Sequence, residues 1–369
     1  MSILIFIILL AILVFVHELG HFLVAKRSGI RVDEFAIGFP PALYKKKKGE
    51  TTYALNLIPF GGYVRIFGEN PDEDSLSGPD ASRSFAKKPK LIQIAVLIAG
   101  IAANVVFAWL LFSGSFMIGM PTSASVAGAD RLHDPALTVT AVSPGSPAAD
   151  AGLKPGDRIV YASSADQPYA LNREMSMEEF QHFIAAHQGQ EVTVAYRREG
   201  DTLSTATVVP ESGIISDKAA IGVGLDVLGI MRLPLHKALV SGAAFTADMT
   251  AGIANGLKTM IADAFRGEGD ISQVTGPIGI VGLVGDATDL GFAYLLSFAA
   301  FISLNLAMIN LIPFPALDGG RILFVIIEAL KGSPIKPKVA NAFNLAGFAL
   351  LMILMVVVTW HDIARLLGM

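Results

Sequence analysis

The sequence contains no cysteine. It therefore has no disulfide framework, and no thiolate is available to ligate a metal. Any metal site must be built from histidine, aspartate or glutamate. Charge is scarce as well: 16% of the 369 residues are charged against 53% hydrophobic, and mean hydropathy is +0.56. That balance points to a polytopic membrane protein with some soluble mass. The net charge of −4 is too small to suggest a nucleic-acid partner. The apolar N-terminal run lacks a basic n-region and a small-x-small cleavage site, so it does not read as a signal peptide.

Within that run, from Ser2 to Ala25, stands His17-Glu18-Leu19-Gly20-His21. On a helix, positions four apart lie about 40° apart in azimuth and one turn apart along the axis. His17 and His21 can therefore grip one metal ion, with Glu18 placed to take a proton from an activated water. This is the zinc-hydrolase arrangement of two imidazoles, a third ligand from elsewhere and an open position. H-E-x-x-H arises by chance in long chains. In an apolar span, however, each ionisable group costs a few kcal/mol (about 2.5–3.5 on insertion scales), which favours a functional site.

Lys26 and Arg27 follow the run, and residues 26–90 hold twelve Lys and Arg, an expected cytoplasmic loop. Its run Lys45–Lys48 reads either as a contact to anionic head groups or as a solvated turn. Thr51–Leu57 and Tyr63–Phe67 read as strands around Pro59-Phe60-Gly61-Gly62. They form either an amphipathic hairpin on the membrane or an edge strand for an extended substrate. A second span covers residues 91–118, where Ala99-Gly100-Ile101-Ala102-Ala103-Asn104 suits close helix packing and Asn104 can hydrogen-bond to a neighbouring helix. Residues 127–212 read as a soluble α+β domain, with His133, His182 and His187 expected on its surface. Residues 213–291 are a connecting segment. It includes an amphipathic stripe of Phe245, Met249, Ile253, Leu257, Ile261 and Phe265. That stripe lies on the membrane surface or on the soluble domain, and Asp263, Glu268 and Asp270 argue against a deep transmembrane position.

A third apolar region, 292–331, is broken at Asn310-Leu311-Ile312-Pro313-Phe314-Pro315-Ala316-Leu317-Asp318-Gly319-Gly320. A last span covers 340–366. With residues 1–26 as the first span, the count is four crossings. Counting crossings brings Asp318 to the same depth as His17 and His21, which makes it the natural third ligand. A helix cap is its competing role.

These motifs together resemble the site-2 protease family of intramembrane zinc metalloproteases, in its bacterial regulator-of-sigma-E form. The resemblance rests on the H-E-x-x-H segment, on Asn310-x-x-Pro313-x-Pro315-x-Leu317-Asp318-Gly319 and on Gly276-Pro277-Ile278. Ser146-Pro147-Ala148 through Gly156-Asp157 resembles a PDZ domain. The resemblance implies a four-span α-helical membrane protein with a cytoplasmic, re-entrant β-hairpin and one extracytoplasmic PDZ-like α+β domain. It implies Zn2+ on His17, His21 and Asp318, with Glu18 as general base. Asn310, Pro313 and Pro315 would hold substrate near the metal, and the hairpin residues Gly61, Gly62, Tyr63, Val64 and Arg65 would clamp it. Substrates would be single-span membrane proteins first cut by another protease, such as anti-sigma factors or remnant signal peptides. The setting would be a bacterial inner membrane, with both termini outside. Two departures stand out: one PDZ-like segment where the best-known relatives have two, and Ile101 where the second-span motif has proline. The competing classes are an inactive membrane-tethered PDZ adaptor and a metal transporter. The base beside the ligands argues against the first, and the otherwise apolar spans argue against the second.

Overall fold

The computed structural model describes residues 1–70, 73–127, 132–166, 175–198, 202–215, 218–267 and 275–366. The chain forms two units, one of residues 1–115 with 235–369 and one of residues 116–234.

In the first unit, among the described residues, four helices are long and apolar enough to cross a membrane. They are α1 (Ser2–Arg27), α3 (Lys90–Ile118), α9 (Phe292–Leu311) and α11 (Pro337–Leu366). The first lies directly against the second because Gly20 has no side chain. A Cβ there would stand 2.3 Å from the Ala99 carbonyl oxygen and 2.8 Å from the Ala103 Cβ.

Between α1 and α3 run β1 (Val32–Lys48), β2 (Thr51–Ile66) and a short α2 (Glu73–Ser77). The expected pairing of Thr51–Leu57 with Tyr63–Phe67 is not what forms. Residues 32–37 lie between them: Phe35 pairs with both Val64 and Tyr53, and Ala36 with both Tyr63 and Ala54. Residues 44–48 then pair back on 51–55, so each long strand bends and contributes twice. The order across the sheet is 62–66, 32–37, 51–56, 42–48, all antiparallel. Gly38 and Gly61, at φ 79° and 98°, permit the bends. Sequence reading missed β1 because its lysines and prolines look like a loop.

The sheet climbs the side of α1. At its lower end, Lys26 Nζ meets Glu50 Oε1 at 2.6 Å and Thr51 Oγ1 at 3.3 Å. Higher up, Phe22 contacts Tyr53, and Phe15 contacts Phe35. A Cβ on Gly61 would lie 3.7 Å from Val14, near the middle of the span.

The connecting segment is more structured than expected. It holds α7 (Leu235–Arg266) and α8 (Pro277–Asp289). The N-terminal half of α7 docks on α3. Trp109 Nε1 donates to the Leu239 carbonyl at 2.9 Å, and Phe112 meets Phe245 edge to face. Glu268 and Asp270 lie outside the described residues. The helix α8 packs on α1, α9 and α11. Its first-turn amides are satisfied by Asp362 of α11, which accepts from Gly276 at 3.2 Å and Gly279 at 2.9 Å. The third apolar region divides into α9 and α10 (Asp318–Lys331) around the break.

The second unit holds β3 (Met120–Ser123), α4 (Ala124–Ala127), β4 (His133–Val142), α5 (Pro147–Asp150), β5 (Arg158–Ser164) and α6 (Met177–Ala186). It continues with β6 (Val192–Arg198), β7 (Thr202–Val208), β8 (Glu211–Ile215), β9 (Lys218–Ala220) and β10 (Val223–Met231). Its six-stranded antiparallel sheet runs β3-β10-β4-β5-β6-β7. The expected domain, 127–212, is therefore too short at both ends, since β10 sits inside the sheet between β3 and β4. Leu137, Val139, Ile159, Val194 and Val208 form the core with Phe180 and Ile184 of α6. A capping box fixes the start of that helix: Ser176 Oγ accepts from Glu179 N, and Glu179 accepts from Ser176 N. His133 and His182 are exposed as expected. His187 is buried instead, its ring nitrogens held by Ser164 Oγ at 3.0 Å and the Phe183 carbonyl at 2.8 Å.

The Asp362 contact gives a first test of the helical unit. Asp362→Ala leaves two α8 amides without their carboxylate, a loss of about 0.5–2 kcal/mol by analogy with helix caps. The thermal unfolding midpoint in detergent should fall while zinc content stays constant. An unchanged midpoint would show that the contact contributes nothing to holding α11 against α8.

Candidate metal centre

The histidines stand on α1 one turn apart, with their rings edge to face at 84°. Asp318 reaches them from across the unit. His17 Nε2 lies 3.0 Å from Asp318 Oδ2 and 3.1 Å from His21 Nε2, and His21 Nε2 lies 3.4 Å from Asp318 Oδ2. Zinc bonds of about 2.0–2.1 Å in a tetrahedron give ligand-to-ligand edges of about 3.3–3.4 Å. Three atoms within 3.0–3.4 Å of one another are thus spaced to share such an ion. Among the described residues, this is the one group of three or more His, Asp or Glu able to hold a metal.

The break between α9 and α10 positions Asp318. Ile312–Leu317 turns the chain, with Ala316 at φ 71°, a rare conformation for a residue with a side chain. The Ala316 amide donates to Asn344 Oδ1 at 3.4 Å. A Cβ on Gly319 or Gly320 would fall 2.2 Å from the carbonyl oxygen of Ile312 or Phe314 respectively. Only glycine lets α10 start so close to the turn. Leu317 occupies the cap position and Asp318 the first helical one. The capping role weighed for Asp318 is therefore not the one it adopts, and its carboxylate faces the imidazoles. Asn310 stands half-buried in the last turn of α9, and Pro313 and Pro315 lie in the break itself. A Cβ on Gly347 of α11 would meet Pro315. The cation nearest in sequence, Arg321, is ion-paired with Glu69, which follows β2.

Sequence reading took Gly100 and Asn104 for helix packing and missed that, with Val96, they form one stripe of α3 toward the histidines. Val96, Gly100 and Asn104 recur every four residues and face the histidines. The Val96 carbonyl accepts from His21 Nδ1 at 2.8 Å, so His21 Nε2 is left free for a metal. A Cβ on Gly100 would stand 2.3 Å from His21 Nε2, so glycine keeps the space beside the ligand atoms open. Asn104 is fully buried, and its amide nitrogen Nδ2 lies 3.3 Å from His17 Nδ1. Its oxygen has no donor, while Ser303 Oγ donates to its backbone carbonyl at 2.9 Å. A metal on His17 Nε2 puts the proton on Nδ1, and turning the Asn104 amide end for end brings its unpaired oxygen to that proton as the acceptor. A small residue and an amide one turn apart in an apolar span was the available signal.

Glu18 turns toward the sheet. Its Oε2 accepts the Val64 amide proton at 2.9 Å. The Phe67 amide, of opposite parity, donates inward to Arg31. The amides of Gly62, Val64 and Ile66 therefore face away from the 32–37 strand. Tyr63 stacks on Phe39, and Arg65 pairs with Glu34 at 3.5 Å. Gly61 and Gly62 begin this edge; Gly62 closes on the Ala36 carbonyl, 2.7 Å from where its Cβ would be.

Two imidazoles and a carboxylate among membrane-spanning helices, with a second carboxylate beside them, define a membrane-embedded metal-dependent hydrolase. Comparison with known proteins gives the family. The model of peptidase family M50 matches residues 5–354. A Clostridium perfringens protein with a provisional zinc-metalloprotease name is 36% identical over 352 residues, 95% of each chain. The regulator of sigma-W protease RasP of Bacillus subtilis is 31% identical over 437 aligned positions, 98% of each chain. The zinc metalloprotease RasP of Geobacillus kaustophilus is 31% identical over 444, covering 99% of this chain and 98% of its own. The chain belongs to peptidase family M50 and is an intramembrane zinc metalloprotease.

The Asn104 contact is testable through metal affinity. Asn104→Ala should weaken zinc binding about 10–100-fold, the usual effect of losing such an outer partner. Asn104→Asp, which keeps an acceptor, should retain most of it. Competition with a chromogenic chelator measures both, and equal affinity in the alanine variant would remove Asn104 from the metal's support.

Proposed function

We propose that His17, His21 and Asp318 hold the zinc, that Glu18 is the general base, and that the 62–66 edge binds substrate as an added strand. The observation that carries the proposal is the Val64–Glu18 hydrogen bond, which ties that edge to the residue beside the ligands. Zinc, when bound, supplies a Lewis acid that acidifies water and polarises a carbonyl. Glu18 takes the proton from the attacking water and passes it to the departing amine. A transmembrane helix hides its amides in its own hydrogen bonds, so it must unwind locally to be cut. Strand addition along Gly62, Val64 and Ile66 satisfies the freed backbone groups where water is scarce. Asn310, Pro313 and Pro315 bound the other side of the path.

The substrates on this reading are single-span membrane proteins already trimmed by another protease. The name of the Bacillus subtilis relative, a regulator of sigma-W protease, supports an anti-sigma factor as one such substrate, and remnant signal peptides are the other class. The lysine-rich loop supports placing residues 27–90 in the cytoplasm of a bacterial inner membrane. The 116–234 unit is then extracytoplasmic. Its sheet with α5 and α6 supports the PDZ-like reading, with the role of excluding untrimmed substrates.

Glu18→Gln should lower cleavage of a single-span reporter about 10²–10⁴-fold with zinc per chain unchanged. Asp318→Ala, assayed alongside, should lose both zinc and activity. Full turnover in the first variant, or normal zinc in the second, would remove the corresponding assignment.

Proline separates strand addition from a passive hairpin, because it cannot donate to a ladder. Val64→Pro removes an outward donor together with the partner of Glu18, and should impair cleavage while zinc stays bound. Arg65→Pro lies on the inward parity and should chiefly lower thermal stability. Alanine at each position controls for the side chain. Wild-type cleavage by Val64→Pro would rule out strand addition and spare the zinc chemistry.

A further inference from the structure

The outer edge of the sheet, residues 42–48, takes no part in the chemistry above. Its composition changes sharply along its length. Leu43 and Tyr44 are exposed, as are Phe39, Leu55, Leu57 and Ile58 around them. Lys45, Lys46, Lys47 and Lys48 follow, also exposed. Register fixes where this change falls. Lys46 pairs with Tyr53, whose ring meets Phe22, and Lys48 pairs with Thr51, which Lys26 contacts. The lysines therefore run beside the last turn of α1, where the apolar span ends in Lys26 and Arg27. The apolar part of the edge runs beside the hydrocarbon part of the helix.

The charge on this edge has no counterpart within the unit. Lys45 lies 3.2 Å from Glu34, but among the described residues Lys46, Lys47 and Lys48 make no ion pair. The acids nearest them in the chain are already engaged. Asp33 pairs with Arg31, Glu34 with Lys45 and Arg65, and Glu50 with Lys26 and Arg83. Lysines that merely blunt an edge strand against pairing need no particular depth. These lie level with the end of the apolar span, with apolar side chains on one side of that level only.

We infer that Lys46–Lys48, with Leu43 and Tyr44, form a binding edge for an anionic phospholipid. The ammonium groups take its phosphate-bearing head group, and the apolar residues lie along its acyl chains. The contact fixes the height of the sheet in the bilayer from the side away from the metal site.

Lysine acetylation tests this on the full-length protein in nanodiscs of phosphatidylcholine, with or without phosphatidylglycerol. Modification is followed at each lysine by mass spectrometry. Phosphatidylglycerol should slow labelling of Lys46, Lys47 and Lys48 several-fold while leaving Lys154, exposed on the second unit, unchanged. Equal rates in the two membranes, or equal slowing at Lys154, would overturn the inference. So would matching protection by inorganic phosphate added to phosphatidylcholine discs, since the ligand would then be a soluble anion. Cleavage is not the readout, so the outcome is independent of the catalytic assignments.

Discussion

Everything at the metal centre depends on how closely α1 and α3 approach. Imidazoles inside an apolar span are costly unless each polar atom has a partner. Here the partners come from one stripe of α3. Val96 offers a carbonyl, Gly100 offers space and Asn104 offers a carboxamide. None of these reaches the histidines unless the helices touch, and Gly20 makes them touch. A glycine inside the metal motif thus serves the helix contact, and a glycine inside the contact serves the metal.

The second constraint is the broken helix. A continuous α9 would carry its backbone past the site with no carboxylate turned toward it. The break costs backbone hydrogen bonds, yet the chain recovers several of them locally. Phe314 N bonds to the Ile312 carbonyl, Leu317 N to the Phe314 carbonyl, and Ala316 N to Asn344. Irregular backbone at membrane depth is tolerated under such conditions. The two prolines end α9, and the two glycines allow α10 to begin against the turn.

Much of this was legible in sequence, for identifiable reasons. The clustering of His17, His21 and Asp318 follows from helical spacing and from counting crossings, both one-dimensional arguments. The four spans follow from long apolar runs. The sheet was legible only in part, because pairing partners of a bent strand are not set by local pattern. Lys45–Lys48 and Pro40-Pro41 hid β1, although that strand supplies the centre of the sheet. The soluble unit was cut short for a similar reason: β10 comes after a long excursion and joins strands from the start of the domain. Asn104 was visible as a residue that hydrogen-bonds to another helix. That its partner is a metal-site histidine depends on which face of α3 meets α1.

The position of Glu18 links the two halves of the chemistry. Its carboxylate could have pointed into lipid, where an ionised group has no solvation. It points instead at the Val64 amide, on the outward parity of the sheet edge. The same amide therefore stabilises the carboxylate and belongs to the row that strand addition would use. On the proposed reading, a peptide laid along that row would come within reach of Glu18, the residue assigned to move the proton. In a compartment with little water, that coupling matters more than side-chain recognition. Backbone pairing accepts many sequences and demands only that the substrate be extended at the point of cleavage.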